Sequence, residues 1–411
     1  MTRPSDLPVL IAGGGPVGII TALALARRGI PVRVFEAAAS VNDAPRASTL
    51  HPATLELLAA LGLIDEIVDR GLVARTFQFW DRPSRQVIAE FDHAILENDT
   101  RYPFVVQCEQ HKIATMGIGR LREFKHADLR MQSSVTAIDA RDDRVVVTVQ
   151  TDQGTETHEG CYLVGADGGR STVRKAMGID FEGYTFPERF LVLTTLFDFA
   201  TEFGAAFRCY FSDPDEWTNL FKVAGDDGRG RWRVVFPTIP GQTDEDLLGE
   251  GATEARLQKF FPKAGRYEIV HRNIYNVHQR VAASFHQGRV FLAGDSAHVN
   301  NPIGGLGLNC GIHDAVFLAN LLAGVLREET PQDELARYDA IRRPMNVEHV
   351  QQQTIANKKR LEEKDEAVRA ASFATLRTAA ADPALHRAFL MRTSLLDSME
   401  RQRALLHEQA G

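Results

Sequence analysis

The sequence predicts a mixed α/β (α+β) protein. It has a discontinuous, doubly wound domain, an antiparallel sheet inserted into that domain, and a helical C-terminal region. Three observations predict it. The stretch "LPVLIAGGGPVGIITALALARRGIPVRVFEAA" has the strand–helix–strand rhythm of a parallel βαβ unit. Between residues 190 and 237 four β-rich runs alternate with turn residues, as in an antiparallel meander. Late in the chain "FLAGDSAHVNNPIGGLGLNCGIHDA" returns to strand, turn and helix, so the first domain resumes after the insertion.

Val9–Ala12 reads as a short buried strand, Pro16–Arg28 as a helix stopped at Gly29, and Val32–Phe35 as the second strand. A helical pattern runs from Thr54 to Arg70. Residues 76 to 91 read as strands turning at Arg82–Pro83, and Val135–Ile138, Val145–Gln150 and Tyr162–Val164 as further strands. "GADGGRSTVRKAMG" then closes a strand and opens a helix. The β-rich runs are "FLVLTTLFDFA", "AAFRCYFS", "WTNLFKV" and "RWRVVFPT", broken at Asp213–Pro214 and at Gly225–Gly230. A helical segment from Thr253 leads to the strand Arg289–Leu292, and after Pro344 the chain is helical and charged. The expected division is 5–75, 100–180 and 281–330 for the doubly wound domain, 76–99 and 181–280 for the sheet domain, and 331–411 for the helical region.

At 411 residues the chain exceeds what one hydrophobic core usually supports. A formal net charge of -7 argues against a nucleic-acid binder, which needs a basic surface. Cys108, Cys161, Cys209 and Cys310 lie far apart among apolar neighbours, which reads as buried thiols in a reducing compartment. No leader pattern and no run of roughly 18 apolar residues is recognised, so a cytoplasmic protein without a membrane partner is expected. The histidines His51, His93, His271, His278 and His286 show no metal-ligand spacing, and no metal is expected. His278 or His93 could assist proton movement. The C-terminal helices fit either a homodimer interface or a cap on the chain's own domain.

Three glycine-and-carboxylate corners carry the chemistry. Gly13-Gly14-Gly15-Pro16-Val17-Gly18 follows a strand and opens a helix. There Gly13 permits the tight turn, Gly15 lets the backbone meet a pyrophosphate, and Gly18 allows close helix packing. Glu36, at the end of the second strand, is placed to accept from the ribose hydroxyls of an adenosine. Asp167 closes a second strand in "GADGGRSTVR" and Asp295 a third in "GDSAHVNNP". Asp167, Arg170 and Arg174 also admit a plain reading as a helix cap and surface charges.

In this order and spacing the three corners resemble the single-component flavoprotein aromatic hydroxylases of the para-hydroxybenzoate hydroxylase fold. The resemblance runs from residue 9 to about residue 315 through the first turn, Asp167–Arg174 and Gly294–Asn309. It implies a Rossmann-like FAD-binding domain with FAD tightly bound and NADH or NADPH as a transient reductant. It implies that Asp295 holds a ribityl hydroxyl, Arg46 the pyrophosphate region or flavin edge, and Gln107 the ribityl chain. Gly304, Gly305 and Gly307 would bring the helix start at Leu308–Asn309 against the pyrimidine end of the flavin, where a helix N-terminus favours negative charge. Asp167 would serve both FAD and the nicotinamide.

The implied activity is hydroxylation of a small phenolic ring with dioxygen through a flavin hydroperoxide. Tyr210 matches the family tyrosine that bonds the substrate phenol, and Pro302 the proline whose carbonyl faces the substrate hydroxyl. Tyr210 equally admits a structural role. Arg208, Trp217, Asn219 and Arg233 share these strands, and alternation sends some of them to the wrong face. The arginine that pairs with a benzoate carboxylate in the family falls here near Val223, which favours a phenol without that carboxylate. The alternatives are a same-fold oxidase or dehydrogenase, or an oxygenase of a non-phenolic substrate.

Overall fold

The computed structural model describes residues 7–408. A six-stranded sheet has the order His286–Gln287, Val290–Leu292, Tyr162–Gly165, Val9–Ala12, Val32–Phe35, Ala127–Arg130. All neighbours in it are parallel except the His286–Gln287 edge. Its central strands are apolar on both faces, because helices cover both sides of a parallel sheet. The helix Pro16–Ala26 packs between Gln110–Leu121 and Gly307–Leu326. Gly307–Leu326 is long and apolar enough to cross a bilayer by length and composition, contrary to the expectation that no such run exists. It is mostly buried and serves as the core helix of this domain.

The second large sheet has eight strands. In order they are His298–Val299, Ile269–Ala282, Phe181–Thr195, Arg231–Pro237, Thr218–Val223, Arg208–Ser212, Thr76–Asp81 and Gln86–Asp92. The predicted meander forms, with one departure from antiparallel pairing. Thr76–Asp81 runs parallel to Arg208–Ser212, because the chain between them returns through the other domain instead of a hairpin. Ile269–Ala282 was not anticipated: its run "IVHRNIYNVHQRVA" is half polar and largely half-buried, so hydrophobic alternation barely marks it. The pattern from Thr54 to Arg70 splits into Pro52–Ala60 and Ile64–Arg70. Gly62 between them adopts φ +77°, which a glycine tolerates and a helix interior does not.

The two faces of this sheet bury different things. Leu191, Leu193, Cys209, Phe211, Leu220, Trp232, Val234 and Phe236 face the helix Glu250–Phe260. Phe77, Phe79, Phe190, Val192, Tyr210 and Val235 face Ile303 and Leu306 of the late turn, together with Leu376, Leu390, Met391 and Leu395 from the C-terminal helices. Those helices, Glu366–Ala381 and Pro383–Thr393 among them, therefore cap the chain's own sheet. Phe389 anchors them, its ring stacked on Phe91 at 4.2 Å.

Candidate active site

The first corner is built around absent side chains. Gly13 has φ +102°, and a Cβ there would lie 2.3 Å from the Ala166 carbonyl oxygen. A Cβ on Gly18 would lie 2.0 Å from the Gly13 oxygen, so these glycines lock turn, helix and neighbouring strand together. Around Gly15 there is open space, as a backbone that receives a phosphate requires. Pro16 begins the helix. The Glu36 carboxylate accepts from Gly14 N at 2.6 Å and Ala38 N at 2.8 Å. Each oxygen keeps a lone pair for a ribose hydroxyl.

The second corner serves the third. The Asp167 carboxylate accepts from Ser171 Oγ at 2.5 Å and from the N–H groups of Thr172 and Val173. It therefore organises the first turn of Thr172–Ala176. Arg174 is buried, unlike the surface charge one reading expected. It donates to Ser296 O at 2.8 Å and Gly169 O at 2.9 Å, and lies 3.8 Å from the Phe181 ring centre. The D-G-x-x-S-x-V-R stretch thus braces the loop that presents Asp295.

Asp295 follows Gly294, whose φ is +62° and whose absent Cβ would meet Val17 at 2.8 Å. The third corner accordingly sits on the first. Asp295 is densely surrounded by protein, yet its side chain is exposed. Burial raises its carboxyl above the usual range, and His298 and Arg46 oppose the rise. The Arg46 side chain is exposed, while its carbonyl accepts from Arg233 at 2.6 Å.

Beneath this corner lies a charged core. His298 Nε2 meets Asp314 Oδ2 at 2.6 Å, and Arg342 Nε donates to Asp314 Oδ1 at 2.8 Å. Gly294 N donates to the same carboxylate at 3.1 Å. His298, Cys310 and Asp314 are close enough to resemble a metal cluster. Arg342 bonds both Asp314 and the Cys310 sulfur, placing positive charge where a cation would sit. The arrangement is an ion-pair network.

Gln107 is fully buried, with Oε1 accepting from Thr49 Oγ1 at 3.0 Å and Nε2 left without a partner. An orphaned buried donor is rare, and here it fits the polar chain of a bound dinucleotide. The late turn closes as Gly305 N donates to Pro302 O at 3.0 Å. Gly304 and Gly305 adopt φ +109° and +69°. The Asn309 side chain is wholly engaged by protein: it accepts from His51 N and donates to Thr49 O and Gly305 O. Only its backbone is left for a ligand. Leu306 at the helix N-cap offers no side-chain acceptor, so the first-turn N–H groups of Gly307 and Leu308 remain available.

Next to this turn is a narrow, partly open cleft. His51, Phe77, Phe79, Arg208, Tyr210, Ile303, Gly304, Gln353, Asn357, Leu361, Phe389 and Thr393 line it. The strand register explains the lining. Tyr210, Asn219 and Val235 form one cross-strand row, and Arg208, Phe221 and Arg233 the adjacent row on the same face. Alternation thus brings Arg208, Asn219 and Arg233 to the cleft side with Tyr210, whose ring stacks on Phe79 at 5.3 Å. Pro302, at the mouth of the turn, is exposed. His278 bonds Thr185 on the sheet, and His93 the Arg75 carbonyl.

Two lining residues carried no site assignment from sequence. His51 Nε2 donates to Gly304 O at 2.8 Å, which leaves Nδ1 a buried bare acceptor. Burial, with Arg208 adding to it, lowers the His51 pKa to about 3, so the ring is neutral. Arg208 is 5% exposed, its Nε and Nη1 have no partner, and its guanidinium lies 4.2 Å from the Phe77 ring centre. A ring face supplies about 0.5–2 kcal/mol. Burying a charge without a counter-ion costs several kcal/mol, so the ring leaves Arg208 undercompensated. Packing of the segment before Pro52–Ala60 against the large sheet puts these two residues together. The roof residues Phe389 and Thr393 lie about 180 residues further along the chain than Tyr210 and carry no local signal at all.

Comparison with known proteins agrees with this geometry. The family described as FAD binding domain matches residues 6–353. Para-nitrophenol 4-monooxygenase of Pseudomonas sp. (strain WBC-3) is 33% identical over 386 residues, covering 93% of this chain and 94% of that protein. A 6-hydroxy-3-succinoylpyridine 3-monooxygenase of Pseudomonas putida is 34% identical, covering 83% and 86%. The crystal structure of p-nitrophenol 4-monooxygenase from Pseudomonas putida superposes with a TM-score of 0.88 at 32% identity, over 94% of this chain and 96% of that one. With its three corners converging beside an aromatic cleft, the chain belongs to the FAD binding domain family, among the flavoprotein aromatic monooxygenases.

Proposed function

We infer that the chain hydroxylates a phenolic ring, with FAD as cofactor, NADH or NADPH as reductant and dioxygen as co-substrate. The observation that carries this reading is the shared turn. Gly304 lines the aromatic cleft, and one turn into the helix that follows, Gly311 packs on Val17 and Gly294 of the cofactor corners. Substrate and cofactor thus meet across one stretch of backbone. Bound FAD, once reduced, supplies the activated oxygen; the protein binds, orients and excludes water.

Gly13 and Gly18 shape the turn whose Gly15 backbone, at the helix start of Pro16, receives the pyrophosphate, Glu36 takes the ribose, and Gln107 Nε2 and Asp295 the ribityl chain. Arg46, exposed at the cleft edge, is free to approach the pyrophosphate or the flavin. Asp167 acts on the cofactor indirectly, by ordering the turn from which Arg174 braces Ser296. The Tyr210 hydroxyl orients the phenol, and the Pro302 carbonyl, already accepting from Gly305, has its second lone pair to offer. Phe77 and Phe79 offer the ring an aromatic wall. Val223 itself is apolar, and the cations beside it are engaged within the protein, Lys222 by Asp198 and Arg231 by Asp227, which supports a phenol lacking a benzoate-type carboxylate.

The test is a panel of phenols offered to the FAD-loaded protein with NADH or NADPH. The expected result is stimulated coenzyme oxidation with one atom of labelled dioxygen in a hydroxylated product. Coenzyme oxidation that yields only hydrogen peroxide with every phenol, or an oxidised product without label, would refute hydroxylation in favour of an oxidase or dehydrogenase.

A further inference from the structure

Arg208 stands out among the cleft residues because no acidic side chain among the described residues is paired with it. It is 5% exposed, two of its nitrogens lack partners, and no carboxylate lines the cleft. Its titratable neighbours are uncharged or positive. His51 is neutral and bonded to Gly304 O. His93, bonded to Arg75 O, is held at about 3 by burial and by Arg208. Tyr210 is a phenol, and Arg360, packed over Phe79, is a second cation. Arg233, in the same cross-strand row, differs in having the Arg46 carbonyl and the influence of Glu109. Burial pulls Arg208 below the ordinary arginine range, with only Tyr210 and Cys209 opposing. A buried guanidinium with unpartnered nitrogens in the cleft lining is matched to a ligand that brings negative charge.

We propose that Arg208 is the anion anchor of the cleft, binding an aromatic ligand that arrives as an oxyanion and sets a negatively charged oxygen against the guanidinium. The proposal rests on the aromatic-hydroxylase reading of the same cleft. It adds that the ligand is selected by charge, and that the anion site lies on the strand next to Val223, where Arg208 pairs with Phe221. The oxyanion has two sources, the ionised phenol itself or an acidic substituent on the ring. A phenol of the first kind leaves its proton with solvent before it enters.

The test uses FAD-loaded wild type, Arg208→Gln and Arg208→Lys, with 4-nitrophenol, coloured only as its anion, and 4-hydroxybenzoate as probes. In wild type, bound 4-nitrophenol is expected to be yellow at pH values where the free compound is colourless. Arg208→Gln is expected to weaken anion binding about 30-fold or more, and Arg208→Lys to restore part of it. Loss of the bound yellow colour in the Gln variant identifies the phenolate as the oxyanion. Weakened 4-hydroxybenzoate binding with the colour retained identifies the substituent. Equal dissociation constants and equal spectra for both probes in wild type and the Gln variant would overturn the proposal.

FAD content and melting temperature report whether the variants fold. If the Gln variant does not fold, wild type alone decides: tighter binding of 4-nitrophenol than of neutral 4-nitroanisole supports the anchor, and equal binding overturns it. Phenol-stimulated coenzyme oxidation by wild type separates the two levels. If no phenol stimulates, the hydroxylase reading fails. If phenols stimulate and the Gln variant matches wild type in binding, only the anchor fails.

Discussion

Asp314→Asn tests the buried network that carries the Asp295 corner. Asp314 is fully buried, with one oxygen on Arg342 Nε and the other shared by His298 Nε2 and Gly294 N. Asparagine keeps the shape and one acceptor but removes the charge. Arg342, 2% exposed, and His298, 1% exposed, would then lose their counter-ion together. Removing one partner of a buried pair costs about 3–5 kcal/mol. A signature in pH accompanies the loss. Burial alone would push His298 down, but the Cys310 sulfur and the Asp314 carboxylate outweigh it and hold the imidazole up at about 10.

A folded-state pKa above the unfolded value gives stabilisation that is complete below about 6.5. It is lost as pH rises through about 10. Wild type should therefore lose stability between these limits. In Asp314→Asn the imidazole stays neutral and the curve is flat there. Denaturation midpoints across that window, read together with the rate of FAD release, measure both effects. The release should quicken because Gly294 has lost part of its tether. An asparagine variant within about 1 kcal/mol of wild type at neutral pH, with the same alkaline slope, would refute the reasoning.

Two further outcomes follow from packing. Gly13→Ala combines a left-handed backbone with a 2.3 Å approach to Ala166 O. The backbone strain alone is worth about 1–3 kcal/mol, so the purified variant should be nearly colourless and take up added FAD poorly, as absorbance at the flavin band will show. Phe389→Ala removes a ring stacked on Phe91 at the cleft roof. Because the ring is only partly buried, the change should cost about 1–3 kcal/mol in denaturant unfolding and raise the KM for the phenol more than it changes FAD affinity.

Much of the cofactor side was legible locally. A glycine run between a strand and a helix, a glutamate ending the next strand, and two later strand–turn corners are short-range patterns. Backbone periodicity and left-handed turns are properties of a few consecutive residues, so Gly13, Glu36 and Asp295 could be located from the chain alone. Two residues of the same motifs also hold structural bonds that only the fold reveals. Asp167 orders a helix turn, and Asn309 ties the late turn to Thr49 and His51.

The substrate side belonged to the tertiary structure. Whether Arg208, Asn219 and Arg233 face the cleft depends on strand register, which pairs residues across hairpins and flips every side chain on a one-residue slip. The His298–Asp314–Arg342 network and the Phe389 roof join segments tens to hundreds of residues apart. Such contacts arise from packing free energy summed over whole layers, and no short stretch of sequence carries that sum.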